Sequence, residues 1–372
     1  MYTCIYSKAQ FDSASGEHIL QNFLGARWTN STIVCDKVQA EFGQTIDAKF
    51  AEALKAFRTI LATRGGRGDA PPTLKGLETT DGQKIDVQPG LEPRLAKPHI
   101  AIENKSGGEV RISVSLGNEN QAGWAIAELK KMFPNLSIKP EELLKAGKVQ
   151  ESYLQAPVKI EIKLGGMDYI RGATKACFNL LAAHNIPVLD PAFDPVRAFI
   201  LHGGEPTKDF FRWPAQLIVN APKIGAVDHF IGAMTKGPNV EAVMNLFGGI
   251  PHSFRLSSSY SGPSFRVGYL VDPLREAQPA ETRNPQFSDG AILDFQAQPE
   301  IPCTFTWDAA KAAFDTVMKA HQKLNTARIV KESVDEVFGH PDGRRITQAD
   351  MDLLKTKIVK KLFRISGQPQ GH

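Results

Sequence analysis

The sequence predicts an α+β protein: a small N-terminal strand–strand–helix module, then a larger region of mainly antiparallel sheet with helices. Three observations carry that prediction. Apolar residues recur every three or four positions at Ile46, Phe50, Leu54, Phe57 and Leu61, and again at Ile170, Ala173, Cys177, Leu180, Leu181 and His184, the spacing of a buried helix face. Short β-rich runs cluster between Lys84 and Val271. Two of them, Val227 to Met234 and Val240 to Phe247, flank the turn Lys236-Gly237-Pro238-Asn239 and suggest a hairpin.

The elements follow in order. Residues 1–43 are short pieces, with a turn at Ser13 to Gly16, a brief strand from Gly16 to Leu20 and a second, β-rich strand from Asn30 to Cys35. The stripe from Ile46 to Leu61 predicts one long helix, with Gly65 as its stop signal. Thr63 to Gln83 contains Arg-Gly-Gly-Arg-Gly and a Pro-Pro pair and reads as a linker. The expected division is therefore 1–64, a linker at 65–83, and 84–372. Beyond the linker, Lys84 to Val87, His99 to Glu103 and Val110 to Leu116 read as strands, Gln121 to Phe133 as a helix, and the alternating Val158 to Lys163 as a half-buried strand. A helix is expected from Pro195 to Leu201, strands at His252 to Leu256 and Phe265 to Val271, and helices at Trp307 to about Leu324 and Met351 to Arg364. Thr347 and Asp350 form a capping box for the last helix.

Composition limits the function classes. Of 372 residues, 42% are hydrophobic and 23% charged, ordinary for a globular chain, and the net charge of +4 announces no strongly basic nucleic-acid binder. Four cysteines are too few for a disulfide scaffold, so a reducing, cytoplasmic setting is expected. The start of the sequence has no secretory pattern, and no run of about 18 apolar residues predicts a membrane span. No phosphate loop, dinucleotide fingerprint or nucleophile elbow is present.

The informative stretch runs from Cys4 to Asp47. It holds a carboxylate beside a histidine (Glu17-His18-Ile19), then Leu24-Gly25, Asn30, Cys35, and finally Phe42-Gly43 with Ile46-Asp47. On a strand, Glu17 and His18 point to opposite faces, so they share a site only if the strand ends or bulges there. In order and spacing this stretch resembles the HNH endonuclease family, the ββα-metal nucleases. The subgroup in question carries Cys-x-x-Cys, Glu-His-Ile-Ile-Pro-x-x-Leu-Gly-Gly and Cys-x-x-Cys-Asn-x-x-Phe-Gly-x-x-Ile-Asp. Ser7 and Val38 stand where the second and fourth cysteines belong, Gln21 replaces the proline, Ala26 the second glycine, and Gln39 the asparagine after the fourth cysteine.

The resemblance implies metal-dependent hydrolysis of phosphodiester bonds in nucleic acid, most readily DNA. His18 would be the general base, and Asn30 would orient it or the backbone near it. Glu17 and Gln39 would hold Mg²⁺ or another divalent ion. Cys4 and Cys35 would be remnants of a zinc knuckle; two thiols do not complete a tetrahedral site, so structural zinc is expected to be absent. The rival reading is a catalytically impaired relative that only binds nucleic acid or a protein, motivated by Ser7, Val38 and Gln39. Elsewhere, Arg64, Arg67 and Lys75 could follow a phosphate backbone, although a solvated tether is the simpler reading. Lys355, Lys357, Lys360, Lys361 and Arg364 read as the basic outer face of a docked amphipathic helix. His229 and His252 are expected to be ordinary strand histidines without a role.

Overall fold

A computed structural model describes residues 1–104, 110–147, 154, 156–162, 164–204, 211–212, 221–275, 280–288, 307–339 and 345–366. The chain is α+β, as predicted. It divides into two units, one made of Met1–Pro72 with Ile162–Gln322, the other of Thr73–Glu161 with Lys323–His372.

The first unit opens with β1 (Tyr2–Thr3) and β2 (Gln10–Phe11), then β3 (Glu17–His18) and β4 (Thr29–Asn30), each pair antiparallel. Three short helices follow: α1 (Asp36–Gln44), α2 (Ile46–Ala53) and α3 (Lys55–Leu61). The expected helix starts at Ile46 as read but is interrupted at Leu54, and a further helix, α1, precedes it in a stretch expected to be short pieces, set off at Thr45 (φ −115°, ψ −86°). The apolar stripe is nevertheless real, because Ile46, Phe50, Leu54, Phe57 and Leu61 are all buried. The expected strand at Asn30 to Cys35 stops at Asn30. The Asn30 side-chain oxygen accepts from both the amide and the hydroxyl of Thr32, a local turn that competes with continued pairing.

The second unit holds β5 (Leu74–Glu78), β6 (Lys84–Gln88) and β7 (Glu92–Leu95) in one sheet, and β8 (His99–Asn104) with β9 (Val110–Ser115) in another. It also contains α4 (Ala122–Met132) and α5 (Pro140–Ala146). The strand expected from Val158 to Lys163 is reduced to a single bridge between Val158 and Thr79, flanked by Lys159 N–H donating to Glu78 and Thr80 N–H to Pro157; Lys163 lies outside the described residues.

The chain then completes the first unit. α6 (Met167–Ala183) and α7 (Asp194–His202) precede β10 (Phe211–Arg212), β11 (His229–Lys236), β12 (Asn239–Leu246), β13 (Ile250–Ser257), β14 (Arg266–Asp272) and β15 (Ala280–Arg283). These strands form one antiparallel sheet in the order β10-β13-β12-β11-β14-β15. The predicted hairpin closes with Lys236 opposite Asn239, and Gly237 takes a φ of 60° that favours glycine. α6 packs between α2 and the sheet. Gly172 makes that approach possible: a Cβ there would sit 2.8 Å from the Phe50 side chain. On the sheet's other face Phe230, Met234, Val243 and Leu270 pack with Ala221 and Phe287. Burying Phe50 and Phe230 contributes roughly 1.5–3 kcal/mol each. His229 and His252 are core groups: His229 Nδ1 accepts from Phe247 N–H at 3.0 Å, and His252 Nε2 lies 2.8 Å from the Tyr169 hydroxyl.

α8 (Trp307–Phe338) runs well past Leu324, and α9 (Gln348–Ser366) ends the described chain. Thr347 and Asp350 cap α9 reciprocally. Lys357 and Lys361 pair with Glu336 at 2.7 and 2.6 Å, so these two lysines of the basic face are turned toward α8, while Lys355 and Lys360 are exposed. No helix among the described residues is long and apolar enough to cross a membrane.

The expected division is corrected in two ways. The chain does pass from one unit to the other inside 65–83, at Pro72, but residues 1–64 are no free-standing module; they share a core with Ile162–Gln322. Nor is Arg64 to Gly68 a tether. Gly65 and Gly66 are buried, Gly66 N–H donates to Asn22 O at 2.8 Å, and a Cβ on Gly66 would lie 1.9 Å from the Ala26 carbonyl oxygen. The glycines serve close backbone approach rather than flexibility.

Candidate functional site

The β3–β4 ladder sets Glu17 opposite Asn30 and His18 opposite Thr29. Strand alternation sends Glu17 and His18 to opposite faces, and the two faces have different chemistry.

Glu17 points inward. Its carboxylate lies 2.6 Å from the ammonium of Lys175 on α6, which also lies 2.8 Å from Asp47 on α2. Asn179, one turn further along α6, donates to Glu17 at 3.1 Å and to the His18 carbonyl at 3.0 Å, and accepts from the Tyr6 hydroxyl at 2.7 Å. Gln21 donates to Asp47 at 3.2 Å and to Gly172 O at 2.9 Å. Lys175 is 1% exposed. Burial alone would lower its pKa, but Asp47 and Glu17 outweigh it and the net shift is upward, so the ammonium stays charged.

His18 points outward into an open cleft of about 470 Å³ lined by Gly16, His18, Arg27, Thr29, Gly66 and Arg67. Burial, then the positive charges of Arg67 and Lys175, pull the imidazole down to about 4. It is therefore neutral at pH 7, with a nitrogen lone pair to offer. Both arginines extend from fixed backbone. Arg27 N–H donates to the Glu281 carboxylate on β15, and the next residue, Trp28, donates its N–H to the Tyr269 hydroxyl at 3.3 Å. Arg67 N–H donates to Asn22 Oδ1 at 2.9 Å. Both side chains are exposed. The cleft thus combines a neutral base with two guanidiniums, the donors best matched to phosphate oxygens.

The remaining expected residues are spent locally. Asn30 holds the turn at Thr32, a backbone role rather than a contact with His18. Gln39, on α1, donates to Ser15 O and to Val34 O at 2.9 Å, and its oxygen accepts from Ser15 Oγ at 3.2 Å. The structure does bring the knuckle positions together: Ser7 Oγ lies 3.9 Å from Cys35 Sγ. Burial would raise the Cys4 thiol, but hydrogen bonds from the Ser7 side chain and the backbone of Cys35, Ser7 and Tyr6 bring it net below its usual range. Val38 is buried and contributes no ligand.

The divalent ion implied by the resemblance does not fit Glu17 and Gln39. Glu17 already has a cation beside it and faces away from His18, and the Gln39 amide is tied to Ser15 and Val34. Among the described residues no group of three or more His, Cys, Asp or Glu side chains could hold a metal.

Sequence reasoning missed Lys175, Asn179 and Arg27. The first two carried a signal: polar residues four apart on a helix otherwise apolar over most of its length share one face. Arg27 carried none, since an isolated exposed arginine is the rule. Comparison with family models, with curated proteins and with solved structures returns no match.

Proposed function

We propose that this protein is an HNH-like phosphodiester hydrolase that engages nucleic acid, most readily DNA, at the His18 cleft. The observation that carries the reading is the neutral imidazole opening on a cleft between Arg27 and Arg67. The strand–strand–helix order of β3, β4 and α1 supports it as well. His18 takes a proton from the attacking water. Arg27 and Arg67 hold the phosphate and stabilise the charge that grows on its oxygens. Glu17 is a positioning residue: through Asn179, which bonds both Glu17 and the His18 carbonyl, the buried cluster fixes the strand that presents His18. The free thiols Cys4, Cys35 and Cys177 suit a reducing, cytoplasmic setting.

A second reading, a relative that binds the nucleic-acid backbone without cutting it, is favoured by the engagement of Glu17 with Lys175 and of Gln39 with Ser15. Fluorescence anisotropy and plasmid nicking separate the two. Arg27→Ala and Arg67→Ala should each weaken binding to any sequence and reduce the slope of log K against log salt by about 1. Binding should survive EDTA, because the anion-holding groups are guanidiniums. Salt-sensitive binding without nicking in Mg²⁺, Mn²⁺ or EDTA supports the second reading. Binding indifferent to both arginines contradicts both.

A further inference from the structure

We propose that Arg64 and Arg283 extend the anion-binding groups of the His18 cleft into a surface that holds nucleic acid along its sugar–phosphate backbone, without reading base sequence. This rests on the reading of the cleft as a phosphate site, and adds to it two contact residues and a mode of recognition.

Three segments far apart in the sequence meet here. Residues 25–28, 64–69 and 280–283 carry four arginines, Arg27, Arg64, Arg67 and Arg283, against two carboxylates, Asp69 and Glu281. Arg283, on β15, holds its guanidinium carbon 4.9 Å from the centroid of the Trp28 ring. Trp28 stands between Arg27 and Thr29, which both line the cleft. Arg64 is fixed against the same loop. Gly25 has a φ of 83°, and a Cβ there would lie 3.5 Å from the Arg64 carbonyl oxygen; a Cβ on Gly66 would lie 3.2 Å from Arg27 Cγ. All four arginines are exposed. Among the described residues none of their guanidiniums has a hydrogen bond or a carboxylate within ion-pair distance. The two carboxylates are engaged otherwise: Asp69 accepts from the Asn22 amide at 2.5 Å, and Glu281 accepts from the Arg27 backbone N–H. The arginines therefore keep their full charge and their donors for a partner, and neighbouring unneutralised cations favour a polyanion.

The chemistry of that partner follows from the donors. A guanidinium presents a rigid fork that matches two phosphate oxygens, and the Trp28 ring holds the Arg283 fork in place, so less freedom is lost on binding. Groups from three segments suit successive phosphates of a chain rather than one phosphate in the cleft. Reading bases requires an element that enters a groove, commonly a helix or a two-stranded ribbon. Here Arg27, Arg64 and Arg67 sit on loops, and Arg283 sits on β15, the edge of a six-stranded sheet. Such contacts fix position on the backbone and carry no sequence information.

The test is fluorescence anisotropy of the full chain in EDTA, with two labelled DNA duplexes of unrelated sequence, over a series of salt concentrations. Four phosphate contacts predict a slope of log K against log salt of about −3.6, so that affinity falls on the order of 100-fold between about 50 and 200 mM salt. The double variant Arg64→Ala/Arg283→Ala should bring the slope to about −1.8 and that fall to about 10-fold. Arg64→Lys/Arg283→Lys should keep the wild-type slope, which separates lost charge from a disturbed fold. Lys319→Ala, on α8 and outside these segments, should also leave it unchanged. The two duplexes should bind within about tenfold of each other. A double alanine variant with the wild-type slope, while Arg27→Ala lowers it, overturns this surface and leaves the cleft standing. Salt-independent binding in wild type overturns both. A preference beyond about tenfold for one duplex, roughly what one read base pair supplies, overturns recognition by backbone alone. Poly-glutamate that competes as well as DNA, charge for charge, overturns nucleic acid as the partner in favour of an acidic polypeptide. Nicking is not measured, so an inactive His18 leaves each of these outcomes readable.

Discussion

Lys175→Met isolates what the buried cluster contributes. Methionine matches the lysine stem in length and keeps the contacts of α6, but it removes the ammonium that lies between Glu17 and Asp47. Glu17 is then left with the Asn179 amide as its donor, and Asp47 with that of Gln21. Removing one partner of a buried ion pair costs about 3–5 kcal/mol, most of it the penalty on the stranded charge. The side-chain exposures of Glu17 and Asp47, 8% and 23%, place Glu17 within that range and Asp47 below it. For a unit the size of Met1–Pro72 with Ile162–Gln322, roughly 2–4 °C per kcal/mol turns the loss into a fall in Tm of about 6–20 °C. Calorimetry at neutral pH reads it. In wild type the raised Lys175 pKa sets a pH limit: its stabilisation is full below the unfolded lysine value and is lost as pH rises through the folded one. A Lys175→Met protein within about 1 kcal/mol of wild type would contradict a lysine held between two carboxylates.

The histidines make a second pH prediction. His18 is pulled down to about 4 and His229 and His252 to about 3, all chiefly by burial. Because the unfolded chain binds more protons in that window, stability present above about pH 6.5 is lost as pH falls toward 4 and 3; a Tm flat from pH 7 to 4 would contradict the burial of these rings. If the protein cuts nucleic acid, the acid limb of kcat/KM should fall near pH 4 rather than near 6.5, read from initial rates in a buffer series. Gly66→Ala should destabilise by about 1–3 kcal/mol through its collision with the Ala26 carbonyl, and by displacing the loop that carries Arg27 it should also weaken nucleic-acid binding in the anisotropy assay. Gln39→Asn should leave nicking and its metal dependence nearly unchanged, because the Gln39 amide is spent on Ser15 and Val34; a changed metal midpoint would return Gln39 to the ligand set.

The parts of the fold legible in the sequence are those written in local periodicity. The stripes at Ile46 to Leu61 and Ile170 to Leu181 identified buried faces, because burial follows spacing whether or not the hydrogen-bond ladder is continuous. The break at Leu54 left no sequence mark. The Gly-rich segment misled because composition cannot distinguish a glycine chosen for freedom from one chosen for its missing Cβ, and Gly66 is the second kind. In the candidate site, the motif from Glu17 to Asp47 brought out residues that matter, but the partners that decide their roles lie far along the chain: Asn179 is 162 residues from Glu17. His18 keeps the role the motif assigned it in the proposed chemistry. Glu17 does not, because no local pattern announces that an ammonium from a distant helix occupies its carboxylate.

Whether His18 provides the base in a cleft where Arg27 and Arg67 grip phosphate is read from nicking and anisotropy on the same preparations of wild type and His18→Ala. Wild type should nick plasmid DNA, and His18→Ala should lose roughly a hundred- to ten-thousandfold in rate with little change in Kd, since affinity comes from the phosphate contacts. Cutting at an unchanged rate in His18→Ala would contradict that role and place the chemistry elsewhere.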